Sequence, residues 1–151
     1  MKDYHKSAIM ETILIIFLTI MPTLFGVFKI FFSNTETSWE VLYKSGEFFL
    51  YAVSLLGSAF LVYNHYKVKK SDSPSLLSIL AIMLILVFSL GYTGIANIAS
   101  PNFTKIGITS TIAILIAIPI FYYSQVINNK NSPDIGEQRR NEQETIENAL
   151  S

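Results

Sequence analysis

A chain of 151 residues that is 51% hydrophobic, with a mean hydropathy of +0.44, carries too little charge to clothe an ordinary water-soluble domain, so its expected solvent is lipid. Eleven basic residues balance eleven acidic ones, which excludes a global field that would draw in nucleic acid or an acidic partner. Cysteine is absent, which excludes disulfide frameworks, thiolate metal sites and cysteine nucleophiles.

A bilayer core about 30 Å thick needs about 20 mostly apolar helical residues, and four segments meet that demand. The first runs from about Ile9 to Phe32. Lys2 and Lys6 precede it as in a signal peptide, but its apolar run continues past Pro22 with no small-residue cleavage site, so it reads as a retained anchor. The second, from about Ser45 to Tyr66, has a short uncharged core between Phe48 and Tyr63. Leaving it in water would give an odd number of spans, so it too is read as crossing. The third, about Leu76 to Ala96, and the fourth, about Ile106 to Ile127, contain no charged residue. Pro22 and Pro119 lie within spans, where the missing backbone donor predicts kinks that either shape a cavity or merely vary the packing.

Positive residues mark the cytoplasmic side of a membrane protein. Lys2 and Lys6 precede span one, Lys67, Lys69 and Lys70 fill the connection after span two, and Lys130 follows span four. The opposite side has Lys29, Lys44 and Lys105, offset by Glu36, Glu40 and Glu47. Both ends of the chain are therefore expected in the cytoplasm. Trp39, Tyr43 and Phe103 then fall at the outer interface and Tyr63, Tyr66, Tyr122 and Tyr123 at the inner one. Asn102-Phe103-Thr104 matches a glycosylation acceptor, but a composition rich in Ile, Lys and Asn looks bacterial and points to a bacterial inner membrane.

From residue 131 to Ser151 the composition turns polar, with too few apolar points for a coiled-coil seam. The expected architecture is all-α: a four-helix transmembrane bundle over residues 1–130 and a polar cytoplasmic tail over 131–151. The tail is either solvated or a docking segment. No internal repeat relates the first two spans to the last two, which argues against an inverted-repeat transporter.

Ionisable groups inside a membrane are functional candidates because placing one at a helix centre costs about 2.5 to 3.5 kcal/mol. The span centres here hold none. Glu11, Lys29 and Glu47 lie near span ends, where all three can reach the headgroups. The sharper reading pairs Lys29 with Glu47 at the outer mouth, where copies around an axis would form a charged ring. Lys67, Lys69 and Lys70, with Arg139 and Arg140 of the tail, are the candidates for contact with anionic lipid or a partner. Small and hydroxylated residues, Ser54, Gly57, Ser58 and Ala59 on span two and Ser89, Gly91, Gly94 and Ala96 on span three, are expected to pack helices together. Thr109, Ser110 and Thr111, with Tyr92 and Thr93, either pack or line a wet path. His5 and His65 have no third ligand at recognisable spacing, so no metal, cofactor or enzymatic centre is expected.

The start of span two, Gly46-Glu47-Phe48-Phe49-Leu50-Tyr51 followed by Ser54-Leu55-Leu56-Gly57, resembles the second helix of small four-span membrane subunits of bacterial anti-phage systems, of the Kiwa membrane-subunit type. The resemblance covers about a dozen residues and the span plan. It implies an inner-membrane homo-oligomer that senses infection or membrane disturbance and works with a cytoplasmic effector. The resulting expectation is a non-enzymatic sensor or scaffold in the lipid bilayer, with an oligomeric pore that depolarises the membrane as the alternative.

Overall fold

The computed structural model describes residues 3–32, 43, 46–66 and 72–131, except the side chains of residues 3, 29, 72–75 and 96. Four helices follow one another: α1 (Asp3–Phe32), α2 (Glu47–Tyr66), α3 (Asp72–Ala96) and α4 (Phe103–Asn131). All four are long and apolar enough to cross a membrane. The 20 residues of α2 make about 30 Å of helix, one bilayer core, whereas the 30 of α1 and 29 of α4 make about 45 Å each and overrun it. Both longer helices continue through their prolines, Pro22 and Pro119, as single elements.

Local chemistry sets the helix starts. Gly46 takes φ = 71°, the left-handed region that glycine tolerates, and its N–H donates to the Tyr43 carbonyl at 3.0 Å. A Cβ there would lie 2.8 Å from Ile95 Cδ1, so only glycine lets the turn before α2 approach α3 this closely. Asn102 accepts the Lys105 N–H on its Oδ1 at 3.0 Å and so caps the start of α4. Lys130 lies in the last turn of the same helix, where a positive charge complements the dipole.

α2 is central. It packs most extensively on α3 and on α4, while α1 rests mainly on α4. Phe49, Ala52, Leu55, Leu56, Ala59 and Tyr63 recur every three or four residues on α2 and meet Ala113, Ala117 and Phe121 of α4, with Phe88 of α3 closing the outer part. Four of these ten are alanines, which let the backbones of α2 and α4 come close. The Phe49 and Phe88 rings lie 6.1 Å apart, and Gly91 makes room for Phe49, whose ring a Cβ would meet at 3.3 Å. Large apolar side chains cover the outside, among them Phe17, Phe25 and Phe28 on α1 and Leu80, Leu86 and Leu90 on α3. An exposed surface of this kind suits hydrocarbon and not water.

Two expectations are corrected. Tyr63 does not face an interface: it is wholly buried in the core, and its hydroxyl donates to the Ile120 carbonyl at 2.5 Å. Of the small residues on span two, Ala59 packs inside, while Ser54, Gly57 and Ser58 lie on the outer face of α2. Thr109 and Thr111 are likewise exposed, with the Thr109 hydroxyl turned back to the Lys105 carbonyl at 2.8 Å.

Candidate functional site: the polar end of the bundle

Side-chain hydrogen bonds between helices gather where α1 begins and where α2 and α4 end. His5 Nδ1 lies 3.2 Å from the Tyr122 hydroxyl. Glu11 Oε2 accepts from Asn129 Nδ2 at 2.8 Å, and the same amide donates to the Gln125 carbonyl at 3.0 Å. Tyr66 donates to Asn128 Oδ1 at 3.3 Å, and the His65 ring stands edge-on to Tyr66 at 4.9 Å. Toward the other end, Thr23 Oγ1 and the Tyr51 hydroxyl, 2.9 Å apart, form a single polar tie between α1 and α2.

The spacing of these residues explains why they meet. His5, Ala8 and Thr12 stand at i, i+3 and i+7 on one face of α1, and Tyr122, Gln125 and Asn129 repeat that spacing on α4. Ala8 is wholly buried, so the two backbones are close there, and Gln125 and Val126 are buried with it. The pairs His5–Tyr122 and Glu11–Asn129 advance in the same sense along both helices, so the start of α1 crosses the last turns of α4 steeply. The Thr12 hydroxyl is the one buried side-chain polar atom without a hydrogen-bond partner among the described residues.

Chemically this is a clamp. Imidazole, carboxylate, amide and phenol groups tie three helices together, and Glu11, half-buried, receives a charge-assisted bond from Asn129. Among the described residues no three histidine or carboxylate side chains converge as metal ligands.

Most residues singled out from the sequence lie elsewhere. Glu47 occupies the first turn of α2, where a negative charge complements the helix dipole. The side chain of Lys29, and with it the Lys29–Glu47 pairing, lies outside the described residues, as do Lys67, Lys69, Lys70, Arg139 and Arg140. Conversely, His5 and Glu11 are bonded to α4 and not merely solvated at an interface, and Gln125, Asn128 and Asn129 were missed. The signal that would have found them is the run of Ser, Gln and Asn from Ser124 to Asn129, polar residues still within the helix.

No protein-family model matches the chain, and neither a curated protein nor a solved structure does.

Proposed function

We propose that this chain is a non-enzymatic, homo-oligomeric sensor or scaffold of the bacterial inner membrane, with both termini cytoplasmic, that couples the bilayer to a cytoplasmic effector. The observation that carries this reading is the division of the molecule. Its middle is filled by Ala52, Leu56, Ala59, Ala113 and Ala117, each at most 1% exposed, and its inter-helix polar contacts collect at the end from which the tail departs. A filled apolar interior suits a rigid member of an assembly. It does not suit a carrier, which needs a polar site near the midplane. The polar end joins the root of the tail to α1 and α2, so a change in how α1 sits is felt where the tail begins. The likeness of the start of α2 to Kiwa-type subunits supports anti-phage defence as the setting.

Removing residues 132–151 tests the coupling. The cut belongs after Asn131 because Asn128 and Asn129 hold Tyr66 and Glu11, so a cut at Ile127 would destroy the clamp as well. The shortened chain is expected to insert and assemble normally and to lose its partner. Undiminished partner recovery would refute docking through the tail. The alternative, a depolarising pore, has no route through one copy and needs a lumen between copies, with Lys29 or Glu47 at its mouth. Channel selectivity indifferent to Glu47→Gln would remove that residue from such a lumen.

A further inference from the structure

The outward face of α2 differs from every other outward face of the molecule. At mid-span α1 exposes Phe17 and Leu18, α3 exposes Met83 and Leu86, and α4 exposes Ile112 and Leu115, all large and apolar. On α2 the corresponding positions are Ser54, Gly57 and Ser58, bracketed by exposed Leu50 and Leu61 and followed by exposed Asn64. Because α2 is only 20 residues long, one bilayer thickness, its centre cannot slide out to the headgroups, and these small polar residues stay in hydrocarbon.

Two further observations show that the face is not serving its own chain. The Ser58 hydroxyl turns back to the Ser54 carbonyl at 3.2 Å, while the Ser54 hydroxyl has no hydrogen-bond partner among the described residues. A Cβ at Gly57 would meet nothing within 4 Å, so no contact inside the chain requires a glycine there, although glycine weakens a helix interior relative to alanine. Gly94 also has open space, but it stands two residues before the end of α3, where a glycine is cheap. The benefit of Gly57 must come from outside the chain.

We infer that the Ser54–Gly57–Ser58 face of α2 is the contact with a second copy of this chain, α2 against α2 across a two-fold axis along the membrane normal. Copies inserted with the same topology meet like residue to like residue around such an axis. The face is self-complementary in that sense. A hydroxyl is both donor and acceptor and pairs with its own image, a glycine admits a close backbone, and Leu50 and Leu61 pack above and below. Glu47, the group on this helix that would repel its image, stands at the end of α2, at the level of the headgroups and water. This inference rests on the proposal that the chain assembles with itself and adds where.

The chain lacks cysteine, so single cysteines report directly. The full-length protein is reconstituted in phosphatidylethanolamine–phosphatidylglycerol vesicles with Ser54→Cys or Leu61→Cys on α2, or with Phe17→Cys on α1 or Leu86→Cys on α3, and is then oxidised. Its mass in detergent is measured in parallel. Disulfide-linked dimer is expected at Ser54→Cys and Leu61→Cys with a yield about tenfold above that at the other two. Gly57→Leu should abolish the dimer while leaving helicity and the thermal melt of the single chain unchanged. Ser54→Ala should weaken dimerisation about threefold to twentyfold, the range of one hydrogen bond between membrane helices. Oligomeric mass with cross-links at Phe17→Cys or Leu86→Cys would overturn the α2 contact and leave assembly standing. Monomeric mass without cross-links at any position would overturn both, and a dimer unaffected by Gly57→Leu would overturn the α2 contact alone.

Discussion

The clamp between α1 and α4 makes a quantitative prediction for Asn129→Ala. Asn129 is the donor to Glu11 Oε2 at 2.8 Å and to the Gln125 carbonyl at 3.0 Å, so the substitution removes one contact between helices and one within α4. Glu11 and Asn129 are both only partly buried, so headgroups and water replace part of what is lost. The bond between helices is therefore placed in the range found for membrane proteins, about 0.6 to 1.7 kcal/mol, and not at the higher value of a fully buried charged pair. A double-mutant cycle isolates it. Glu11→Ala, Asn129→Ala and the double variant are unfolded in mixed micelles, followed by a fluorophore placed on α1. The coupling energy is expected to fall within that range, with the double variant about as stable as the weaker single one. A coupling smaller than about 0.3 kcal/mol, within the scatter of independent sites, would refute the clamp.

Three other substitutions probe the core that the clamp closes. Tyr63→Phe loses only the bond to the Ile120 carbonyl and should cost about 1 kcal/mol, whereas Tyr63→Ala opens a cavity in the centre and should cost about 3 to 5 kcal/mol, both read from the same unfolding assay. Ala117→Leu forces α2 and α4 apart at a wholly buried position and should cost about 1 to 3 kcal/mol, while the exposed Leu115→Ala on the same helix should be near neutral. Gly46→Ala combines a positive φ with a Cβ 2.8 Å from Ile95 and should lower stability by about 1 to 3 kcal/mol, visible as a lower thermal midpoint and an earlier loss of the α2 start in hydrogen exchange.

The four helices were legible because hydrocarbon permits little else: an apolar run of span length must satisfy its own backbone, and helix is the way a single segment does so. Which face of each helix turns inward was far less legible. In a soluble protein the polar face announces itself, but α1 and α3 are apolar on every side through their middles, so hydropathy distinguishes no inward face. Tyr63 shows the consequence. An aromatic hydroxyl near a span end suggested an interface, and the structure puts it in the core because the Ile120 carbonyl is within reach to accept its proton. The polar end was hidden for another reason. Glu11 and Asn129 are separated by 118 positions, and no local spacing announces that partnership. What local spacing did offer, the matched i, i+3, i+7 stripes at His5–Thr12 and Tyr122–Asn129, is recognisable only once α4 is extended through its polar last turn. Ser54, Gly57 and Ser58 drew notice as packing residues, yet nothing in the chain separates packing within one copy from packing between two.

Ion flux through vesicles holding the purified full-length chain tests most directly whether the molecule is a scaffold with a filled interior. With a defined oligomer in the bilayer, the account predicts flux no greater than that of empty vesicles, because Ala52, Leu56, Ala59, Ala113 and Ala117 leave no path through a copy. Sustained flux whose ion selectivity changes with Glu47→Gln would contradict it and make the conducting assembly the better description.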